Sequence, residues 1–220
     1  MIEEFIKIQN ELSKRVKIED KIDINNITKI AGVDCSFVEK DGHTIGISCI
    51  VVMDRQFNIL ETQFGEGKVD IPYIPTFLAF REIPIIMKAY EKVKEAPDIF
   101  IFDGQGILHP RNMGIATHFG VLTDTVTIGC GKSHLYGKFL PPPNQNMAKS
   151  PVYVNDKIYG YALRVKKNTN PIFISPGNNI SVDSSLYVII NNLRGYKLPE
   201  AVRIAHNSLQ EYRKKLIKED

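Results

Sequence analysis

The sequence predicts an α/β fold, a mixed β-sheet flanked by helices. Two observations carry that prediction. Three runs of strand-forming residues follow one another across short turns early in the chain, as in an antiparallel meander. From there on, helical periodicities alternate with short apolar strands. With 220 residues the chain can bury one good core, so a single domain over 1–220 is expected.

Taken in order, residues 2–16 place Ile2, Phe5, Ile6, Ile8, Leu12 and Val16 near helical spacing, which predicts an amphipathic helix. Strands are expected at 29–38, 44–53 and 58–64, with Asp41-Gly42 as the hairpin signal between the first two. The stretch Asp70-Ile71-Pro72-Tyr73-Ile74-Pro75 holds two prolines and should be irregular. Phe77, Phe80, Ile83, Met87 and Tyr90 then mark a helix over 77–93, which Pro84 is expected to kink or split in its early turns. An apolar strand follows at Ile99-Phe100-Ile101-Phe102, then a helix around 114–122 and a strand at 126–130. Pro141-Pro142-Pro143-Asn144 reads as a stiff loop, too short to divide domains. A hairpin over 152–165 should turn at Asn155-Asp156, and a strand at 172–175 leads to a helix starting near 181–183. The last helix spans about 199–218, with Pro199 suited to its first turn. There is no internal repeat and no low-complexity tract.

Hydrophobic residues make up 43% and charged residues 24%, as in an ordinary soluble globular protein. A net charge of +3 provides no global field for nucleic acid, so any basic surface must be local. The tail cluster Arg213-Lys214-Lys215 with Lys218 reads as a solvated helix face. Cys35, Cys49 and Cys130 are odd in number, lack metal-site spacing and sit in or beside apolar runs, which suits a reducing compartment. No run approaches the roughly 18 apolar residues of a membrane span. Glu3 and Glu4 stand where a secretion signal carries base. A cytoplasmic location is expected.

Three acids stand at odds with their surroundings. Asp34 interrupts the strand Ile30-Ala31-Gly32-Val33-Asp34-Cys35-Ser36-Phe37, Glu82 lies in a helical segment, and Asp103 ends the apolar strand. If the strands of Asp34 and Asp103 are parallel neighbours with the Glu82 helix packed across them, the carboxylates converge at one end of the sheet. Three carboxylates that close resist ionisation unless a cation neutralises them. Oxygen ligands suit Mg²⁺ or Mn²⁺ better than zinc. Two such ions roughly 3.5–4 Å apart serve phosphodiester hydrolysis. Singly, each acid reads equally as a cap, a turn residue or a salt-bridge partner; jointly they favour metal.

His206, with apolar neighbours on the last helix, reads on its own as a packed histidine. His109, in the loop after the glycines, is the better candidate for touching phosphate or base, and His118 suits packing equally well. Two motifs fail. Gly131-Lys132-Ser133 mimics the end of a phosphate-binding loop, but Val126 holds the position that needs glycine. Gly104-Gln105-Gly106 lacks the third glycine of the dinucleotide fingerprint, because His109 stands there.

Together these segments resemble a known family. They are Ala31-Gly32-Val33-Asp34-Cys35-Ser36-Phe37, Pro72-Tyr73-Ile74-Pro75 with Phe77-Leu78-Ala79-Phe80-Arg81-Glu82, and Asp103-Gly104-Gln105-Gly106 with His109-Pro110-Arg111 and Gly114-Ile115-Ala116-Thr117-His118-Phe119-Gly120. Gly131-Lys132-Ser133 and Arg203-Ile204-Ala205-His206 complete the set. The chain resembles endonuclease V, the deaminated-purine repair nucleases of the ribonuclease H-like superfamily, over most of its length and in order.

The resemblance implies a ribonuclease H-like fold and Mg²⁺-dependent cleavage, with Mn²⁺ able to substitute, near deoxyinosine in DNA or inosine in RNA. The cut falls one nucleotide 3′ of the lesion and leaves a 3′-hydroxyl and a 5′-phosphate. By position, Asp34, Glu82, Asp103 and His206 match the metal site, Lys132 a lysine beside the scissile phosphate, and Tyr73 the aromatic wedge. Substrate contact is implied for Pro72, Ile74, Pro75, Thr76, Leu78, Arg81, Gly104, Gly106, His109, Gly131 and Ser133. The family usually has glycine where this chain has Thr76, so a side chain there is expected to crowd the pocket or alter which base fits.

Those assignments make physical sense. A proline-braced loop with an aromatic tip suits an enzyme that must hold a displaced base out of the duplex. The glycines after Asp103 would let a purine approach backbone N–H and C=O groups. Hypoxanthine offers a carbonyl where adenine offers an amine, so a backbone donor there discriminates between them. The expected unit is a monomer. Rival readings are a non-catalytic inosine-binding module and a ribonuclease H-like nuclease specific for junctions or hybrids. Nothing in the sequence identifiably reads a 2′-hydroxyl, so DNA and RNA both stay open.

Overall fold

A computed structural model describes residues 1–218. The expected meander forms as β1 (Lys29–Lys40), β2 (His43–Asp54) and β3 (Ile59–Lys68). These strands run further than the sequence suggested, because Asp41 and Gly42 both adopt positive φ and turn the chain in two residues. β3 continues through Gly65, where an added Cβ would meet the Ile85 carbonyl oxygen at 2.4 Å. The glycine marks a helix lying directly on the strand, not a break.

That helix is α2 (Leu78–Tyr90), and it runs unbroken through Pro84. The expected split does not occur. Pro84 is exposed, so its ring faces solvent and the lost backbone bond harms the helix least there. The N-terminal helix α1 (Ile2–Ser13) stops short of Val16. Next in the chain are β4 (Ile99–Phe102), α3 (Ile115–Thr123), β5 (Thr127–Gly131), β6 (Ala148–Val154), β7 (Lys157–Arg164), β8 (Ile172–Asn178), α4 (Val182–Asn191) and α5 (Glu200–Lys218). β6 starts before Pro151 and β8 continues past Pro176. Both prolines fit: β6 is an edge strand, and Pro176 pairs with Ile128 at a register shift.

Among the described residues the strands form one mixed sheet in the order β3-β2-β1-β4-β5-β8-β7-β6. β1, β4 and β5 are mutually parallel, and every other pairing is antiparallel. Alternation along the strands sorts the core. Ala31, Val33, Phe100 and Phe102 pack against α2 and α3. On the opposite face, Ile99, Ile101 and Ile128 meet α4, and Val38, Ile47, Cys49 and Val51 meet α5. Cys35, Cys49 and Cys130 are free thiols. Among the described residues no helix is long and apolar enough to cross a membrane.

Candidate active site

The parallel pairing of β1 with β4 aligns two acids. Val33 is the register partner of Phe102, so Asp34 and Asp103 each stand one residue beyond the same rung. The Asp103 amide donates to the Val33 carbonyl at 3.0 Å, which fixes that alignment. By alternation both carboxylates project to the α5 face, and both side chains are largely buried.

Gly32 brings α5 close enough to add an imidazole. A Cβ on Gly32 would meet Ala201 backbone atoms at 2.1 Å, so helix backbone rests on the strand there. Both elements advance in the same direction. Five helical residues from Ala201 rise about 7 Å and two strand residues from Gly32 about the same, which carries His206 to Asp34. His206 Nδ1 and Asp34 Oδ2 are 2.8 Å apart. Asp34 Oδ1 accepts from the Cys35 amide at 2.9 Å. One ligand atom each from Asp34, Asp103 and His206 lie within 4.8 Å of one another.

Glu82 stands apart from that group. It belongs to α2 on the other face of the sheet, and it approaches where β4 has ended at Phe102. Its residue is 8% exposed, and among the described residues no hydrogen bond reaches its carboxylate. Burial, then the charges of Asp34 and Asp103, push its pKa up to about 8. Asp34 is raised as well, by burial first and Asp103 second, although His206 and Lys132 oppose the shift. A buried acid without donors, facing two more acids, is a donor set that a divalent cation neutralises. The residues fit a divalent cation.

Lys132, one residue past β5, donates to Asp103 Oδ2. Burial opposes its charge, but the Asp103 carboxylate outweighs that and lifts the ammonium above its ordinary range. About half of its side chain remains exposed, so it can reach an incoming phosphate.

The loop before α2 and the segment that follows Asp103 enclose a cavity of about 110 Å³. Tyr73, Pro75, Thr76, Leu78 and His109, all expected at the site, line it. Tyr73 is 67% exposed at the loop tip, not folded onto the core. Thr76 occupies a turn closed by the Phe77 amide on the Ile74 carbonyl at 3.0 Å. Pro75 holds the second position and Thr76, at φ +70°, the third, as in a type II turn. Glycine suits that position best, because a β-branched residue is strained at positive φ. Arg111 Nη2 donates to Thr76 Oγ1 at 2.6 Å. Gln9, His109 and Arg111 all bond the Thr76 carbonyl, at 3.1, 2.8 and 3.2 Å.

His109 is therefore a pin. It is 2% exposed, Nε2 faces the Thr76 carbonyl, and Nδ1 accepts from the Arg111 and Met113 amides at 3.2 and 3.3 Å. Burial pushes its pKa down to about 4, so the ring is neutral. Both nitrogens are occupied by backbone, and it shapes the cavity with its ring.

The remaining expected contacts are spread around this centre. Pro72 is exposed and Ile74 half-buried on the loop. Arg81 lies over the Phe37 ring at 4.0 Å. Gly104 and Gly106 do not line the cavity. A Cβ on the first would meet Ile115 Cγ2 at 2.6 Å and on the second the Pro176 carbonyl oxygen at 2.2 Å, so internal packing already requires both glycines. Ser133 is exposed and its carbonyl accepts from Gln105. Sequence reasoning missed Gln105, Met113, Gly114, Ile115 and Leu135 as cavity walls. The apolar ones look like core in the sequence, and Gln105 stands between two glycines that carry the stronger local signal.

The family model for endonuclease V matches residues 10–207. The endonuclease V of Bacillus thuringiensis subsp. konkukian is 42% identical over 222 aligned positions, covering 99% of this chain and 94% of that relative. The crystal structure of Bacillus subtilis endonuclease V superposes with a TM-score of 0.95 at 34% identity, covering 100% of this chain and 95% of that one. A Ciona intestinalis endonuclease V, solved with a 24mer DNA containing an inosine followed by a ribo-adenosine, superposes with a TM-score of 0.85 at 24% identity. It covers 98% of each chain. The fold is the expected ribonuclease H-like one.

Proposed function

The chain belongs to the endonuclease V family of nucleases, and on that premise we propose that it is a Mg²⁺-dependent endonuclease acting on inosine-containing DNA or RNA. It cuts one nucleotide 3′ of the deaminated purine and leaves a 3′-hydroxyl and a 5′-phosphate. The observation that carries this reading is the meeting of Asp34, Asp103 and His206 within 4.8 Å, with Glu82 buried behind them.

Asp34 and Asp103 hold the cation, with Glu82 and His206 completing the site. When bound, the ion supplies Lewis-acid chemistry, acidifying water and stabilising charge on the phosphate and the leaving oxygen. His206 keeps Asp34 Oδ2 in place through its Nδ1 proton. Lys132 turns from Asp103 to the scissile phosphate and orients it. Tyr73 stacks into the gap left by the extruded base, braced by Pro72 and Pro75. The cavity behind Tyr73 receives hypoxanthine, and backbone groups there read its carbonyl edge. Three free, largely buried thiols support a reducing, cytoplasmic setting. The acting unit is one domain working as a monomer.

The test uses matched DNA and RNA strands, each with and without one inosine, incubated with Mg²⁺ or with chelator. Cutting 3′ of inosine in Mg²⁺ alone is the expected result. A protein that shifts the inosine strand but never nicks it is a binder, and one that cuts hybrids or junctions regardless of inosine reads structure instead.

A further inference from the structure

Gln105, two residues beyond Asp103, carries a buried side-chain oxygen with no hydrogen-bond partner. An unpaired buried acceptor is costly, so something must hold the side chain there. Its other end shows what does. Gln105 Nε2 donates to the Ser133 carbonyl at 2.8 Å. The amide orientation is fixed, since the flipped form would set two acceptor oxygens against each other. At its base the residue is anchored by backbone, the Gln105 carbonyl accepting from the Ala116 amide at 3.1 Å.

The same side chain explains Gly131. A Cβ on Gly131 would meet Gln105 Nε2 at 2.2 Å and Cδ at 2.7 Å, and nothing but Gln105 among its three nearest atoms. The amide thus lies over Gly131 and grips Ser133, with Lys132 between them. Residues 132–135 are exposed, and among the described residues this is the single side-chain hydrogen bond to their backbone. Lys132, whose own side chain is half exposed, is the group that reaches Asp103.

We propose that Gln105 is a positioning residue, clamping the Ser133 carbonyl so that Lys132 is presented to the reacting phosphate. Gly131 is glycine because the clamp occupies the space of a side chain. This rests on the nuclease reading. A wild-type protein that leaves inosine strands intact ends that reading, whereas a wild type that cuts while Gln105 is dispensable ends only this one.

The experiment compares wild type, Gln105→Ala, Lys132→Ala and the double variant in single-turnover cleavage of an inosine strand. Substrate affinity without metal and melting temperature are measured alongside. Gln105→Ala should slow cleavage about five- to tenfold, the loss of one oriented hydrogen bond. In the Lys132→Ala background it should slow cleavage no further. Wild-type rates for Gln105→Ala, or a double variant as slow as the product of the two singles, overturns the proposal. Gly131→Ala keeps Gln105 but pushes its amide aside, and it should reproduce the slowing. It carries the test alone if Gln105→Ala does not fold, and wild-type cleavage by folded Gly131→Ala counts against the clamp.

Discussion

His206 Nδ1 lies 2.8 Å from Asp34 Oδ2, a contact between residues 172 positions apart. It exists because Gly32, two residues before Asp34, lets the backbone of Ala201 sit on β1. The packing of one glycine thus sets the position of one histidine.

Gly32→Ala tests that chain of cause. Its Cβ would meet helix backbone at 2.1 Å, which cannot rotate away. Destabilisation of about 3 kcal/mol is expected, at the upper end for overpacking, together with lost cleavage in whatever protein still folds. A denaturant midpoint equal to that of wild type would contradict the close approach.

Asp34→Asn should separate cation binding from folding. In metal-free protein the substitution removes one of three mutually repelling acids, and His206 can still donate to the new carbonyl oxygen. Melting temperature should therefore hold or rise. Wild type should gain about 2.7 kcal/mol at a hundredfold excess of Mn²⁺ over its dissociation constant, and the variant close to nothing. An equal Mn²⁺ shift in both proteins would remove Asp34 from the ligand set.

Thr76 sits at φ +70° with its hydroxyl held by Arg111. Thr76→Val keeps the β-branch and the strained backbone but loses a charge-assisted hydrogen bond, so a loss of roughly 1–2 kcal/mol is expected. Thr76→Gly loses the same bond but relieves the backbone, and should lie closer to wild type. Urea denaturation of both variants checks the order, and a more stable valine variant would contradict the turn as described.

His118 gives the pH dependence its sign. Burial, then the nearby His109, push it down to about 4 from the ordinary 6.5. The folded state keeps it neutral while the unfolded state gains a proton. Its contribution is therefore full above pH 6.5 and lost as pH falls towards 4. Between pH 7 and pH 5 the stability difference between wild type and His118→Phe should move against wild type by roughly 1–2 kcal/mol. Acids common to both proteins cancel in that difference. A difference that does not change with pH would show His118 to be accessible to protons in the folded chain.

Much of this could be read from the sequence because period and punctuation were strong. The Asp41-Gly42 turn and the three-to-four-residue spacing of apolar side chains in α2 each announce their element. Pro84 does not split α2, because the cost of a proline depends on whether it faces solvent, and only tertiary structure tells. Asp34 and Asp103 stood out as acids in apolar strands. His206 did not, since its approach depends on the absence of a side chain at Gly32. Gln105 was invisible for the same reason: its partner is a backbone carbonyl reached over another glycine, Gly131.

The most direct measurement is the anomalous difference density of a crystal soaked in Mn²⁺. A peak bridging the carboxylates of Asp34 and Asp103, beside His206, is the result expected. Manganese bound elsewhere, or no peak between these acids at saturating metal, would contradict the account.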